Sequence, residues 1–471
     1  MQRDLMISVS GIRGRVGEGL TPEVVCRYAA AFGAWSLSRS PSREIVLGRD
    51  SRTSGEMFHR AATAALQSVG ATIVDLGMAP TPTLQLAVEE RGAAGGLAIT
   101  ASHNPVEWNA LKFIGPSGLF LSASEGSEMR SFAEAAFPRA AWDALGSVAT
   151  DSEAIGRHVH RILQLPFLDV DAIRNRKFRV ALDTCRGAGA TVLPLLLSEL
   201  GCQVAGINLT PDGRFPRPPE PLPEHLAELG ELVRRSGAVV GLASDPDVDR
   251  LAVVDERGRP IGEDWTLAIA TLVVLRRRKG TVVANLSTSR IVEDVAARFG
   301  APVVRAPVGE VNVALRMREV GAVVGGEGNG GVMLPELHLG RDAPLAVALV
   351  LQFLVDEGVG ERTTLSDVIA SYPRYAIVKD KLELPRVAAD EPLGAALEGV
   401  RAAWPEADAD WQDGLRLSWP DRWVHVRPSG TEPVIRVIAE APDEAVARSL
   451  ANRCRAVVEP MAQQTRSGDI R

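Results

Sequence analysis

Cysteine is scarce in this chain: 4 in 471 residues, Cys26, Cys185, Cys202 and Cys454. They lie far apart, with neither the close pairs of a zinc site nor the density of a disulfide scaffold. The thiols are read as reduced and structural, and the compartment as cytoplasmic. Long hydrophobic runs are also missing; the longest, Ala343 to Val355, falls short of the roughly 20 residues a spanning helix needs. From Met1 to Val16 the chain is broken by Arg and Gly and has no apolar signal core. No basic excess exists, since 52 Lys and Arg against 59 Asp and Glu leave a net charge of −7. That removes the electrostatic footprint of a nucleic-acid partner. A glycine-lysine phosphate loop is absent, which disfavours a nucleoside triphosphatase. The Gly-x-Ser-x-Gly elbow of α/β-hydrolases does not occur at the serine loop discussed below.

What is present is a globular composition, 46% apolar and 24% charged, in a chain long enough for three or four units of about 100 to 150 residues. One pattern is written three times: Gly92-Ala93-Ala94-Gly95-Gly96, Gly237-Ala238-Val239-Val240-Gly241 and Gly321-Ala322-Val323-Val324-Gly325. Each opens a short apolar run that ends in a polar loop. Upstream, the strand-like runs Glu44 to Leu47, Phe178 to Leu182 and Thr281 to Asn285 are each followed by a helical stretch. Gly70, Gly201 and Gly300 stand where a helix would end before a β-branched run. The repeated unit predicts mostly parallel sheets covered by helices, in three related α/β domains. After Pro373 the pattern changes to hairpins at Trp411 to Trp423 and Arg427 to Glu440, then a helix from Asp443 to Val457 and a frayed polar tail from Gln463. This predicts a smaller α+β domain, with divisions at 1–150, 151–257, 258–371 and 372–471. Ligands of open α/β sheets gather beyond the carboxyl ends of the strands, so the three equivalent loops are the candidate site.

The first loop, Thr100-Ala101-Ser102-His103-Asn104-Pro105, sets a hydroxyl beside an imidazole, so Ser102 is either a phosphoryl acceptor or nucleophile or a turn residue satisfying local backbone. The second, Asp245-Pro246-Asp247-Val248-Asp249-Arg250, offers carboxylates at every second position, which on an extended segment share one side and suit a hard cation such as magnesium. An EF-hand would need Gly where Arg250 stands and helices on both flanks. Without a cation, carboxylates this close repel one another. The third, Gly325 to Gly331, contains a formal G-x-G-x-x-G, but Val332-Met333-Leu334-Pro335 follows where a pyrophosphate-binding helix should start. A flexible loop whose Glu327 and Asn329 bond sugar hydroxyls is preferred to a dinucleotide site or a plain turn. Finally, Arg427-Pro428-Ser429-Gly430-Thr431-Glu432-Pro433 and Arg436 combine guanidinium groups, hydroxyls and a glycine-freed backbone, a mixture suited to a phosphate; the alternative is a surface hairpin with incidental arginines.

Taken in this order, the four loops resemble the α-D-phosphohexomutase family from end to end. The resemblance implies four domains around a central cleft and an intramolecular phosphotransferase acting on hexose phosphates. It implies that Ser102 carries the phosphate, that Asp245, Asp247 and Asp249 share magnesium with it, and that Glu327 and Asn329 select sugar hydroxyls. Arg427, Ser429, Gly430, Thr431 and Arg436 would hold the phosphate that is not reacting. Ser10-Gly11-Ile12-Arg13-Gly14 is similar to the family's N-terminal motif, which puts Arg13 near the transferring phosphate together with Arg250. Asn109 and Lys112 also match, Asn109 as a substrate ligand and Lys112, with His103, for proton handling. A sugar 1,6-bisphosphate would serve as intermediate and activator, and turning it around implies closure by the C-terminal domain. The family's sugar loop commonly reads Gly-Glu-x-Ser-Gly-His; here Asn329 replaces the serine and Gly331 the histidine, so the histidine's work passes to His103 or Lys112. The sugar is glucosamine, mannose or glucose phosphate, with a lean toward the amino sugar. The expected partner is this small phosphosugar, with no nucleic acid and no membrane, in a monomer or homodimer. Rival readings are a phosphosugar phosphatase using the same serine, a dinucleotide-dependent oxidoreductase and a silent binding protein.

Overall fold

A computed structural model describes residues 5–8, 11–383, 390–429 and 434–467. The threefold repeat is a threefold sheet. In the first, strands Glu44–Arg49, Thr72–Met78 and Gly95–Ile99 run parallel, with Glu44–Arg49 in the middle. The second repeats this with Arg179–Asp183, Gln203–Ile207 and Val240–Ser244, and the third with Val282–Asn285, Val303–Ala306 and Val324–Glu327. Each set also carries one antiparallel strand that the sequence pattern did not announce: Trp108–Ile114, Leu251–Val254 and Gly331–Met333. The three candidate loops are the turns into those strands. The first sheet gains Leu5–Ser8 and Gly11–Arg15 on one edge and Val148–Thr150 on the other.

Sterics explain the Gly-Ala-x-x-Gly repeat. Gly92, Gly237 and Gly321 each end a helix in the left-handed region, at φ 56°, 66° and 60°, which glycine alone occupies without cost. Four residues on, a Cβ on Gly96, Gly241 or Gly325 would lie 2.6, 2.7 or 2.5 Å from Val88, Val233 or Met317 of that same helix. The two glycines thus turn the chain and let the helix rest directly on the strand it precedes.

Between the second and third sheets lie helices Asp264–Arg277 and Ala343–Glu357, the latter buried at every position from Ala343 to Leu354. A helix apolar all round is a core element, which accounts for the long apolar run; among the described residues no helix is long and apolar enough to cross a membrane. One hydrophobic core therefore runs through the second and third units, from Phe178 and Leu196 through Leu272 to Val347. The C-terminal unit has its own core: an antiparallel sheet ordered Ala376–Glu383, Val434–Ala441, Trp423–Pro428, Leu415–Ser418, Asp408–Asp410, covered by helices Asp390–Ala403 and Glu444–Ser467. That last helix runs to Ser467, into the stretch expected to fray, and its apolar face from Ala447 to Val458 (Ala447, Leu450, Ala451, Cys454, Val458) is buried on the sheet. All four cysteines are free, and burial pushes the thiols of Cys185, Cys202 and Cys454 up to about 12.

Candidate active site

The sheets point their loops into one cleft of about 1530 Å³ whose lining includes Arg13, Ser102, Arg250, Glu327, Arg427 and Arg436. At its floor Ser102 is 3% exposed and its Oγ donates to Asp245 Oδ2 at 2.9 Å. His103 Nδ1 lies 3.4 Å from the same oxygen. Ser102 sits at φ 47°, a conformation that costs a non-glycine residue about 1 kcal/mol or more unless its surroundings enforce it. Arg52 supplies that enforcement: fully buried, it donates to the carbonyls of Ser102, Asn104, Pro105 and Trp108 at 2.7 to 2.8 Å and pairs with Asp50 at 3.1 Å. His103 keeps 30% exposure to the cleft; desolvation there, then the Arg250 and Arg13 cations, hold its pKa well below the usual histidine value. It is therefore a neutral imidazole at neutral pH.

Asp245, Asp247 and Asp249 converge, with one oxygen of each within 4.8 Å of the others, and all three are buried. They do so on a tight turn, not on the extended segment expected. Val248 takes φ 68°, and Asp245 Oδ1 accepts from the Asp249 and Arg250 amides at 3.2 Å. The flanks are strands, which excludes an EF-hand. Burial, then the Asp249 and Asp247 charges, push the Asp245 carboxyl well up. Burial would also raise Asp247, but the Lys112 ammonium at 2.7 Å and its hydrogen bonds bring it below the usual carboxylate range. Asp247 Oδ1 and Asp249 Oδ1 are buried without a hydrogen-bond partner. Unsatisfied buried carboxylate oxygens grouped this way fit a divalent cation with oxygen ligands.

The glycine-rich loop is pinned where a flexible one was expected. A Cβ on Gly328 would meet Asp264 Oδ1 at 2.2 Å, and one on Gly330 would meet Leu251 O at 2.3 Å. The chain leaves it as strand Gly331–Met333, which removes the dinucleotide reading. Glu327 accepts from Asn285 Nδ2 at 2.8 Å, the Gly309 amide at 2.9 Å, Asn329 Nδ2 at 3.4 Å and Arg341 Nη1 at 2.8 Å. Burial opposes its charge, but Arg341 and these donors lower its pKa. It faces the cleft as an ionised acceptor. Arg341 also reaches Glu310 at 3.1 Å and Asp249 at 2.5 Å.

Across the cleft, Arg427 and Arg436 are direct cross-strand partners. Like charges in that register are unfavourable unless an anion joins them; Asp413 takes Arg427 at 2.7 Å, and Ser429 Oγ lies 3.4 Å from Arg436 Nε. Gly430 and Thr431, expected beside them, lie outside the described residues, as does Ser10.

Neither Asn109 nor the three aspartates line the cleft, but the aspartates lie directly beneath it, bonded to Ser102 and Lys112, whereas Asn109 is turned elsewhere. It is fully buried and bonds Ser54 Oγ at 2.9 Å and the Ala110 amide at 2.8 Å. Strand Trp108–Ile114 alternates faces, so Lys112, turned toward Asp247, sends Asn109 to the other side. Residues not anticipated are Arg52, Arg341, Glu310 and Glu220, which takes Arg250 at 2.7 Å.

Comparison with known proteins agrees along the whole chain. Models of phosphoglucomutase/phosphomannomutase α/β/α domains I, II and III match residues 5–138, 156–258 and 263–375, and that of the C-terminal domain matches 379–457. A "Probable phosphoglucosamine mutase" of Methanopyrus kandleri is 37% identical over 459 residues, 97% of this chain and 98% of its own. A "Phosphoglucomutase/phosphomannomutase" of Thermococcus kodakarensis is 38% identical over 444 residues, 93% of this chain and 95% of its own. Among solved structures, a phosphoglucomutase/phosphomannomutase family protein from Burkholderia thailandensis superimposes with a TM-score of 0.83 at 25% identity, covering 96% of this chain and 97% of that one.

Proposed function

The chain belongs to the phosphoglucomutase/phosphomannomutase family and is a phosphosugar mutase, an isomerase, and from that premise we propose that it exchanges hexose 1-phosphate and hexose 6-phosphate through phosphorylated Ser102 and a bound sugar 1,6-bisphosphate. The observation that carries this reading is the Ser102 hydroxyl bonded to Asp245 at the cleft floor, with the Arg427 and Arg436 pair on the C-terminal side of the same cleft. In the forward half-reaction a sugar hydroxyl oxygen attacks phosphorus, the bond from phosphorus to Ser102 Oγ breaks, and the hydroxyl proton passes by way of His103 to the departing Ser102 Oγ, 3.4 Å from its Nδ1. Arg13, Lys112 and Arg250 balance the charge that builds on the phosphoryl oxygens. Asp245, Asp247 and Asp249 would hold magnesium, which when bound neutralises charge on the transferring group. Glu327 and Asn329 orient the ring hydroxyls, while Arg427, Ser429, Gly430, Thr431 and Arg436 grip the idle phosphate. After the bisphosphate turns around, its other phosphate returns to Ser102.

Movement of the C-terminal domain lets the intermediate reorient without escaping, and exclusion of water keeps the phosphoserine from hydrolysis. The preferred sugar is proposed to be glucosamine phosphate, in keeping with the relatives named as probable phosphoglucosamine mutases. The domain divisions near Asp151, Arg257 and Tyr372 and a cytoplasmic location belong to the same proposal. Phosphorus NMR tests it: glucosamine, glucose and mannose 1-phosphates are followed with magnesium and catalytic bisphosphate. Conversion to 6-phosphate without free phosphate is expected, fastest for glucosamine. Release of inorganic phosphate alone would instead mark a phosphatase.

A further inference from the structure

Gly331 and Arg341 compete for one space. Gly331 lies directly opposite Glu327 in the antiparallel pair, so a side chain there would project on the same side as the Glu327 carboxylate. Its backbone lies in a regular strand and outside the positive-φ set, so no conformational demand calls for glycine. The demand is steric: a Cβ on Gly331 would sit 2.3 Å from Arg341 Cδ and 2.9 Å from Cγ.

Arg341 cannot step aside, because it is fixed at both ends. Its guanidinium binds carboxylates from two units: Asp249 on the metal loop, Glu327 on the sugar loop, and Glu310, which also accepts from Gln85 of the first unit at 2.8 Å. At its backbone end the next residue, Asp342, caps helix Ala343–Glu357 by accepting from the Leu345 amide at 2.8 Å. Asp342 Oδ2 also binds His158 at 2.8 Å and His338 at 2.9 Å, all three buried. The middle of the side chain then has one path, and that path crosses the place where residue 331 would carry its Cβ.

We propose that Arg341 is a positioning residue for the mutase reaction, joining the sugar loop to the metal loop, and that glycine at position 331 is what admits it. A single guanidinium with several donors in a fixed fork can hold three carboxylates at once; without it Glu327, Glu310 and Asp249 are left buried and uncompensated. The sugar-facing carboxylate and the metal-facing one are thereby oriented by the same group, so the ring and the transferring phosphate are presented in a fixed relation.

A double-mutant cycle tests this, using the full chain with Gly331→Ala, Arg341→Met and both together; methionine keeps the stem volume but removes the charge. The readouts are kcat and KM for hexose 1-phosphate, the calorimetric affinity for the same sugar without magnesium, and the melting midpoint. Arg341→Met is expected to lower kcat/KM about a hundredfold. Gly331→Ala should lower it about tenfold or more by displacing the guanidinium, and the double variant should be no worse than Arg341→Met within about twofold, since interacting sites are not additive. Sugar affinity should follow the same pattern. The inference is overturned if Gly331→Ala has wild-type activity, if the two losses multiply, or if the variants melt earlier while kcat/KM and affinity stay unchanged. It rests on the mutase reading, and the two fail separately: absence of wild-type turnover sinks the reading, while the affinity cycle still reports on Arg341.

Discussion

The second and third units share a continuous apolar core, whereas the third and fourth meet through polar groups. Ser287 Oγ lies 2.8 Å from His425 Nδ1, the Arg290 amide donates to Glu440 at 3.0 Å, the Val308 amide to Asp413 at 3.1 Å, and Lys379 pairs with Glu263 at 3.1 Å. Apolar burial at about 25 cal/mol per Å² is lost whenever such a core opens. An interunit hydrogen bond, worth about 1 kcal/mol net, is mostly recovered from water when it parts. The metal and sugar loops are thus fixed relative to one another, and the unit of the serine loop is tied to the metal loop through Thr81 and Lys112, which bond Asp247 at 3.0 and 2.7 Å, while Arg427 and Arg436, proposed to hold the idle phosphate, ride on a unit whose attachment is exchangeable. A reaction that must hold one end of a sugar still and then turn it around needs both kinds of attachment.

Substitutions should separate along this line, costing kcat in the fixed part and KM in the hinged part. The largest effect is expected from Ser102→Ala, a loss of at least about a thousandfold in kcat with calorimetric affinity for hexose phosphate retained. Removing divalent cations with a chelator comes next: turnover should stop, and adding magnesium back to about a hundred times its Kd should raise stability by about 2.7 kcal/mol, read as a higher melting midpoint. Arg427→Ala or Arg436→Ala should raise KM about tenfold or more through a lost charge-assisted phosphate contact, with kcat changed less. A KM unchanged in both variants would detach the C-terminal unit from substrate binding.

The smallest effect concerns docking of that unit. Burial, with the Arg427 and Arg416 cations adding to it against the Asp413 carboxylate, lowers the His425 pKa to about 4 from 6.5. The exposed ring binds a proton below pH 6.5 that the docked ring refuses until about pH 4. Stability of docking is therefore full above pH 6.5 and falls as the pH drops through that window. Hydrogen exchange at the interface should accelerate between pH 7 and 5 in the wild type and lose this dependence in His425→Gln. Ser287→Ala should weaken docking by about 1 kcal/mol at any pH.

Much of this was legible in the sequence because glycine reports on backbone and close approach wherever it recurs: the three Gly-Ala-x-x-Gly segments marked helix ends and the strands that carry the loops. Ser102, the aspartates and Glu327 stood in those loops, and Arg427 and Arg436 in the C-terminal section, with chemistry suited to cation and phosphate. Arg52 and Arg341 were not legible, since each acts on residues far along the chain. The available hint for Arg341 was a charged Arg-Asp pair opening the longest apolar run. Asn109 was expected at the site and the structure buries it away from the cleft, as its spacing of three from Lys112, which puts the two on opposite faces of a strand, implies. The turn at Val248 could not be read, because a β-branched residue in the left-handed region is held there by its surroundings and not by its own preference.

The most direct test of the central claim is a single-turnover chase of isotopically labelled phosphoserine enzyme with hexose 1-phosphate and magnesium, quenched in the millisecond range. Loss of label from Ser102 should match its appearance in sugar 1,6-bisphosphate and then in hexose 6-phosphate. Label leaving first as inorganic phosphate, or residing on any residue other than Ser102, would contradict it.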